Sequence, residues 1–436
     1  MNKAPAHPSI LKTIEGREMA PFQSVAVAVC LAINMLDGFD VLAIAFTAPA
    51  ISDDWALTPG ALGVALSAGL LGMTLGSLLI APLADRLGRR PIILACLVLM
   101  SLGMIATGFS RGVADLSVYR IITGLGIGGM LASLNTLVAE YSSATRRDLM
   151  VSLLQAGYPI GATVGGIIAT FIIAHYGWRY VFIAGGSVSL IMIPAVLWRV
   201  PESLDFLVNS QQPDRLSRIN SVLRKLNVPI LDNLPDGNAG AAENTSARSQ
   251  LLGRANRATT FSLWTAFFMV MFTFYFVLSW TPKLLVDSGL SKEIGISGGV
   301  IMNLGGILGI FLLGFVSAQL GLKRLLTIYM VATSVSMIAF GFVGTHLVTL
   351  TLTATVIGFF LFGSIVGLYV VTPKVYPSSV RTTGTGWAIG VGRLGAVLGP
   401  YIAGLMRDNT WSTTALFLFF SFPMLVACYA LQRIKE

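Results

Sequence analysis

Charged residues are scarce in this sequence, because Asp, Glu, Lys and Arg together make up only 11% of its 436 residues. Soluble domains carry about 25% of such residues. With 55% hydrophobic residues beside so little charge, the composition excludes an ordinary globular enzyme, a disordered chain and a nucleic-acid-binding protein. The net charge of +9 must therefore be interpreted from where the charges lie along the chain.

Cysteine and histidine are also rare, with three of each. The cysteines lie far apart in apolar stretches and are typical of small buried hydrophobic residues: Cys30, Cys96 and Cys428. The histidines lie in the N-terminal tail and two short connections, without metal-ligand neighbours: His7, His175 and His346. The sequence thus predicts no metal site, and it predicts no cofactor.

Long apolar runs dominate what remains. A bilayer core about 30 Å thick needs roughly 20 apolar residues as a helix, and only helices or closed barrels satisfy the backbone there. The alternating pattern of barrel strands is absent, so we predict an all-α protein with twelve membrane spans. They cover about 22–50, 58–82, 91–109, 114–139, 148–174, 178–200, 259–287, 292–318, 323–343, 347–372, 380–406 and 411–433. The first run has no cleavage site behind it and is predicted to be retained.

The spans form two groups of six. The predicted organisation is a tail at 1–21, a six-helix half at 22–200, a central loop at 201–258, a second half at 259–433 and a tail at 434–436. The part of the loop around 235–245 is rich in Asn, Asp, Gly and Ala, which is typical of a flexible tether.

The basic residues predict the orientation. The two tails and the even-numbered connections hold 22 of the 29 Lys and Arg residues. The odd-numbered connections hold five: Arg111, Arg179, Lys283, Lys292 and Arg407. By the positive-inside rule both termini and the central loop face the cytoplasm. The positive charge therefore indicates topology rather than a nucleic-acid partner.

An internal repeat relates the two halves. A spacing of 233 residues connects six pairs of small residues in equivalent spans and loops: Gly72 with Gly305, Gly76 with Gly309, Ala81 with Gly314, Gly88 with Gly321, Gly157 with Gly390 and Gly166 with Gly399. Glycines four residues apart share a helix face, where two backbones can approach closely. Two parallel six-helix repeats are typical of transporters with a site near the membrane midplane.

The loop between the second and third spans reads Ala81-Pro-Leu-Ala-Asp85-Arg86-Leu-Gly88-Arg89-Arg90. It resembles the loop signature of the major facilitator superfamily, with Ala81 in place of the usual leading glycine. A degenerate copy, ending in Lys323-Arg324, follows the eighth span, and Pro201-Glu202-Ser203 after the sixth span also matches. The resemblance covers essentially the whole chain and implies twelve helices in two pseudo-symmetric halves that alternate in access.

The first span contains Asp37-Gly38-Phe-Asp40, which resembles the Asp-Gly-x-Asp signature of the aromatic acid:proton symporter family. Further matching pieces are Arg120-x-x-x-Gly124-x-Gly126, Glu140, Tyr376-Pro377-x-x-x-Arg381 and Gly392-Arg393-Leu-Gly395. The resemblance implies uptake of benzoate-like or hydroxybenzoate-like anions with protons. It further implies a bacterial inner membrane, with a small organic acid, protons and lipid as partners, and a monomer.

Asp37 and Asp40 lie three residues apart, on one helical face near the centre of the span. A charged Asp at that depth costs roughly 2.5–3.5 kcal/mol on insertion scales. Two like charges in a poorly hydrated cavity favour protonation of at least one of them. We therefore predict that the pair couples protons or contacts substrate. A structural ion pair with an Arg is the alternative.

Two arginines fall inside spans, Arg393 near the middle of the eleventh and Arg120 about two turns inside the fourth. A guanidinium offers a carboxylate two parallel hydrogen bonds, so we predict that Arg393, and less strongly Arg120, binds the substrate carboxylate. Pairing with Asp37 or Asp40 is again the alternative.

The loop after the second span is predicted to be a cytoplasmic gate. Its charged residues would form a network that holds the two halves together in one of the alternating states, with Glu140 and Arg381 as further members. The predicted gate residues are Asp85, Arg86, Arg89, Arg90, Glu140 and Arg381. Anchoring by the positive-inside rule alone is the alternative reading.

An aromatic substrate also needs ring-stacking walls. The candidates at mid-depth are Tyr158, Phe272, Tyr275, Tyr369 and Trp387. With 42 aromatic residues in the chain, each of them has packing as its alternative role. Asn303 is a polar residue at mid-depth and is the candidate for binding a ring hydroxyl.

The alternatives are two other transport functions, a drug/proton antiporter and a sugar carrier, and a protein of another class, an intramembrane enzyme or receptor. The fifth span, Gly157-Tyr-Pro159-Ile-Gly161, partly resembles the signature of drug/proton antiporters, and a sugar carrier is a weaker candidate. Arg393 and the Asp-Gly-x-Asp element favour an anion instead. An intramembrane enzyme would require a metal-ligand cluster or a Ser–His pair, and a receptor would usually carry a soluble output domain. The sequence contains neither feature.

Overall fold

The computed structural model describes residues 19–143, 145–210, 214–226, 228–231, 251–253, 256–343, 346–376 and 381–434. Within these ranges the chain has no strand, and twelve helices are long and apolar enough to cross a membrane. They are α1 (Pro21–Trp55), α2 (Pro59–Leu79), α3 (Arg89–Gly108), α4 (Val113–Glu140), α5 (Arg147–Tyr176), α6 (Trp178–Arg199), α7 (Arg257–Asp287), α8 (Lys292–Leu320), α9 (Leu322–Phe342), α10 (Leu347–Val375), α11 (Arg381–Asp408) and α12 (Thr413–Gln432).

The membrane face that holds the start of α1 and the end of α12 is called the terminal face, and the opposite one the distal face. Three helices that begin at the distal face have side-chain caps. Thr58, Ser291 and Ser412 accept a hydrogen bond from the backbone N–H three residues on. Such caps satisfy N–H groups that lack partners at a helix start, so the polar residue before each apolar run sets where the helix begins.

The packing of the helices repeats with a shift of six. In the first half the extensive pairs are α1–α5, α2–α4, α3–α4, α3–α6 and α1–α6. In the second half they are α7–α11, α8–α10, α9–α10, α9–α12 and α7–α12. The contacts between halves follow the same rule, because α2–α11 corresponds to α5–α8. The two halves are therefore pseudo-symmetric, as the sequence repeat predicts.

Two repeated glycine pairs mark one of these equivalent contacts. A Cβ at Gly72 or Gly76 would collide with the backbone of α4 at Ile121 or Leu125. At the equivalent glycines, Gly305 and Gly309, a Cβ would collide with the backbone of α10. Only glycine permits such close helix approach, which lets van der Waals packing replace the missing hydrophobic driving force within a bilayer.

The two halves meet near the distal face. Gly404 of α11 faces Pro59 and Gly63 of α2, whereas Gly390 and Gly386 lie nearer the terminal face on the same side of α11 and face open space. On the other side of the molecule, Phe46 of α1 packs against Gly166 of α5 and Gly299 of α8. The helices thus converge at the distal face and leave space between the halves toward the terminal face.

Candidate functional site

The two aspartates of the first span lie near the middle of α1, at the packing contact with α5. Gly38 faces the backbone of Tyr158 so closely that any side chain there would collide with it. Asp37 and Asp40 are 1% and 0% exposed. The small residue between them therefore brings two carboxyl groups and a tyrosine from another helix into one buried region.

Asp40 forms a buried ion pair with Arg120 of α4. Arg120 Nη1 donates to Asp40 Oδ1 at 2.8 Å, and Nη2 donates to the Asp40 backbone oxygen at 2.9 Å. Arg120 is 2% exposed and its Cζ lies 5.7 Å from the centroid of the Phe182 ring. Glycine at position 69 leaves room for the guanidinium. In this conformation the alternative role of Arg120, an ion pair with an aspartate, is the one observed.

Asp37 has different surroundings. Both of its carboxyl oxygens are buried, and neither has a hydrogen-bond partner among the described residues. Asp40 lies within electrostatic range of it, but the guanidinium of Arg120 pairs with Asp40 and not with Asp37. A buried carboxylate without a cation is costly, so this environment favours the protonated form.

Arg393 lies on the opposite side of the space between the halves, in α11. It is half-buried, and its Nε atom is buried without a partner. Tyr275 of α7 and Tyr369 of α10 lie within electrostatic range of its guanidinium. No carboxylate among the described residues forms an ion pair with it. Its positive charge is therefore uncompensated and faces two tyrosines.

Tyr158 connects the two sides. It lies within electrostatic range of Asp37 and also of Tyr275 and Tyr369. Its hydroxyl is buried and lies against the side chain of Tyr275. Asp37, Tyr158, Tyr275, Tyr369 and Arg393, from five helices of both halves, thus form one polar group at mid-depth, which we call the midplane site.

The other predicted ring-binding residues lie elsewhere or have local partners. Phe272 stacks on Phe420 of α12 with centroids 4.8 Å apart, and it therefore packs between helices. Trp387 pairs with Trp264, with ring centroids 5.9 Å apart, and it lies one turn before Gly390, which faces open space. For Phe272 the structure matches the packing alternative, whereas a role of Trp387 in binding a ring stays a prediction.

Asn303 of α8 is fully buried. Its Nδ2 atom donates to the Gly299 backbone oxygen at 2.8 Å, while its Oδ1 atom has no partner among the described residues. The side chain therefore keeps one free acceptor, which is the property that binding of a substrate hydroxyl requires.

The predicted gate residues form a network centred on Arg89. Its Nη1 atom lies 3.0 Å from Glu140 Oε1 and also donates to Ser203 Oγ. Weaker pairs join Arg89 Nη2 to Asp205 at 3.6 Å and to Asp85 at 3.8 Å. Ser203 Oγ donates to Glu140 Oε2 at 2.7 Å. Arg89, Glu140 and Ser203 thus form the buried centre.

This network differs in one respect from the predicted gate, because every contact described in it lies within the N-terminal half and the loop after α6. Asp85 has an 80% exposed side chain, and Arg86 is exposed as well. Arg90 donates to the backbone oxygen of Leu197 in α6. In the conformation observed, the network therefore braces one half rather than joining two. The side chain of Arg381 lies outside the described part of the chain.

Glu202 is the residue that the sequence reading missed. It is 5% exposed, and its Oε1 atom accepts hydrogen bonds from the backbone N–H groups of Arg89, Arg90 and Ser203 at 2.9–3.2 Å. A carboxylate at the start of α3 satisfies free N–H groups and interacts favourably with the helix dipole. The Pro201-Glu202-Ser203 motif was a usable signal, although it does not state which partners Glu202 has.

Comparison with known proteins agrees with this architecture. The family model described as the Major Facilitator Superfamily matches residues 30–320. This chain belongs to that superfamily. It is 31% identical to the gallate transporter of Pseudomonas putida, over 96% of this chain and 93% of that protein. It is 30% identical to the 4-hydroxybenzoate transporter PcaK of Pseudomonas aeruginosa, over 92% and 89%.

A third relative, the niacin transporter NiaP of Acinetobacter baylyi, is 31% identical over 92% of this chain and 91% of that protein. Among solved structures, the xylose transporter XylE of Escherichia coli in a partially occluded inward-open conformation superimposes with a TM-score of 0.75 at 17% identity. It covers 95% of this chain and 100% of that chain. The predicted superfamily and fold are thereby confirmed, and the protein is a membrane transporter, not an enzyme.

Proposed function

We propose that this protein carries a small aromatic carboxylate into the cell together with protons. The names of its relatives support the class, since gallate, 4-hydroxybenzoate and niacin transporters are all similar over about nine-tenths of this chain. The observation that carries the proposal is the uncompensated Arg393 facing Tyr275 and Tyr369, across from the partnerless carboxyl group of Asp37.

The substrate carboxylate binds Arg393. A guanidinium matches a planar carboxylate with two parallel charge-assisted hydrogen bonds. Tyr275 and Tyr369 offer ring edges or faces to an aromatic body and hydroxyls to its substituents. The bound anion also offsets the cost of holding a half-buried arginine away from other charges.

The proton binds Asp37. The neutral form of the Asp37 side chain is compatible with its burial. Tyr158 lies between Asp37 and the tyrosines that face Arg393, and it therefore connects the proton site to the substrate site. Asp40 and Arg120 hold each other and position α1 against α4. A carboxylate at Arg393 and a proton at Asp37 together leave the midplane site without net added charge, which lowers the barrier to moving both through the membrane.

Transport proceeds by alternating access. The terminal face is assigned to the cytoplasm by the positive-inside rule, in a bacterial inner membrane. The halves converge at the distal face and are separated toward the terminal face, so this conformation opens the midplane site to the cytoplasm. The opposite state would release the distal contacts and open the site to the outside.

The uncompensated charge of Arg393 argues against a drug/proton antiporter and against a sugar carrier. A cationic drug is repelled by an uncompensated arginine, and a neutral sugar leaves its charge unbalanced. The likeness to XylE concerns the fold alone at 17% identity.

The test is uptake by proteoliposomes under an imposed pH gradient. Labelled benzoate, 4-hydroxybenzoate, gallate and nicotinate form the panel, with benzamide and xylose as uncharged competitors. Accumulation of at least one acid that collapses with the gradient is the expected result. Uptake of none of the acids, or equal competition by benzamide, would remove the proposal.

A further inference from the structure

Two cavities lie on the distal face where the halves meet. The larger, of about 580 Å³, is lined by three carboxylates and two cations: Asp53, Asp54, Glu293, Arg179 and Lys292. Arg179 pairs with Asp54 and Lys292 with Asp53. Negative charge is in excess there, so this cavity disfavours an anion.

The second cavity, of about 350 Å³, is called the junction cavity. The N-terminal half contributes Ser52 and Leu62, and the C-terminal half contributes Trp280, Lys283 and Arg407. Along α7, Lys283 follows Tyr275 by eight residues, or about 12 Å of helix. The cavity is therefore distinct from the midplane site, and it exists only while the distal ends of the two halves are in contact.

Its lining carries an excess positive charge. Lys283 Nζ lies 2.6 Å from Asp287 Oδ1, and Arg407 Nη2 lies 3.8 Å from Asp287 Oδ2. One carboxylate is thus shared by two cations, whose side chains are 14% and 26% exposed. Partly buried charges are screened less than exposed ones, so an anion in the cavity gains from the uncompensated charge. Asp408 lies nearby at Gly60, on the surface and outside the lining.

Besides these charged residues, the lining consists of Ser52 and apolar side chains. Trp280 is 1% exposed, and its indole N–H donates to the Pro400 backbone oxygen at 2.9 Å. Leu57 and Leu62 complete the apolar part of the wall. Apolar lining beside convergent charge is typical of a pocket for a small molecule with an apolar body and an ionised group.

We propose that the junction cavity is a second binding site, for a small carboxylate with a flat apolar body that arrives from the distal side. Because both halves build the site, its occupant stabilises the conformation in which their distal ends touch. The choice of benzoate as the probe rests on the proposed function. The cavity and the charges of its lining are observed in the structure and do not depend on that function.

The experiment is equilibrium dialysis of labelled benzoate against the full-length protein in nanodiscs. The parent should bind two equivalents, and Arg393→Ala should keep the junction equivalent. In the Arg393→Ala background, Lys283→Gln should raise the Kd of that equivalent at least ten-fold, because a charge-assisted contact is lost. Asp287→Asn should lower the same Kd, because a competing carboxylate is removed. Arg179→Gln, which removes a cation from the other distal cavity, is the matched control and should change nothing.

The opposite signs of the two changes decide the matter, since a misfolded variant cannot bind more tightly. If Lys283→Gln and Asp287→Asn act in the same direction, or neither acts, the junction site is excluded. If Arg393→Ala abolishes all binding, the midplane carboxylate site is supported and the junction site fails. If Lys283→Gln in the parent background abolishes all binding while Arg393→Ala alone has no effect, the junction site is supported and the proposed function fails.

Discussion

Two aspartates one helical turn apart on α1 have different partners. Asp40 is held by Arg120 at 2.8 Å, with side chains 0% and 2% exposed, whereas Asp37 has no partner among the described residues. Removing one member of a buried ion pair leaves an uncompensated charge, which typically costs about 3–5 kcal/mol. Removing the charge of a partnerless buried carboxyl group has no such cost. The two positions should therefore respond differently to the same substitution.

Asp37→Asn should abolish accumulation driven by a pH gradient while preserving counterflow exchange, which needs no net proton movement. Its melting temperature should stay near that of the parent. Asp40→Asn should lower the melting temperature, because Arg120 loses its carboxylate partner. Uptake in proteoliposomes and thermal unfolding of the purified variants measure both effects. Normal accumulation by Asp37→Asn would exclude this residue as the proton site.

Arg393 should determine the preference for acids over amides. Losing a charge-assisted bidentate contact costs about 1.5–3 kcal/mol, or roughly 10- to 150-fold in affinity. Arg393→Lys should weaken benzoate binding because the planar fork is lost, and Arg393→Ala should weaken it further. Competition assays should show benzamide gaining relative to benzoate in the Ala variant. An unchanged ratio of the two affinities would exclude carboxylate recognition by Arg393.

At the scale of the element, the start of α3 depends on a residue more than a hundred positions away. The backbone N–H groups of Arg89 and Arg90 donate to Glu202 Oε1. Gly88, with φ of +102°, provides the left-handed turn that aims these groups at the carboxylate. The loop after α6 is thereby attached to the loop before α3, and the N-terminal half is braced at the terminal face.

Glu202→Ala should destabilise the protein by about 1–3 kcal/mol, because buried N–H groups lose their acceptor. Asp85→Asn should cost much less, since Asp85 has an 80% exposed side chain and its contact with Arg89 is 3.8 Å long. Thermal unfolding of both variants in the same detergent gives the comparison. An equal loss of stability in Asp85→Asn and Glu202→Ala would contradict the prediction that Glu202 contributes more to stability than Asp85 does.

At the scale of the whole molecule, the two halves are joined mainly at the distal face. Lys292 of α8 pairs with Asp53 of α1 at 2.8 Å, with side chains 42% and 56% exposed. Such an exposed pair contributes less than about 1 kcal/mol. A free-energy difference of about 1.4 kcal/mol changes the ratio of two conformational states ten-fold. Loss of a pair that contributes less than that can therefore still change the populations measurably.

Lys292→Asp should therefore shift the population toward the state with separated distal ends, through loss of the pair and repulsion from Asp53. The double variant Asp53→Lys, Lys292→Asp should restore the parent distribution. Distances between spin labels on the distal ends of α1 and α8 report the populations. Failure of the charge swap to restore the distribution would show that the pair does not hold the halves together.

The sequence alone determined the twelve spans, their grouping into two halves and the mid-membrane position of Asp37, Asp40 and Arg393. These features follow from local rules, because apolar length sets a span and each interruption by charge is visible in one dimension. The glycine repeat also predicted a real feature, since Gly72 and Gly305 both lie where two backbones approach.

Only the tertiary structure decided which aspartate has a partner. Residues three apart share a helical face, and no local rule states which neighbouring helix contacts which of them. The same limit applies to Glu202, whose partners lie across the fold, and to Phe272 and Trp387, whose depth in the membrane was predictable but whose direction was not. Depth and face are local properties of a helix, whereas a side chain's neighbours depend on how all twelve helices pack.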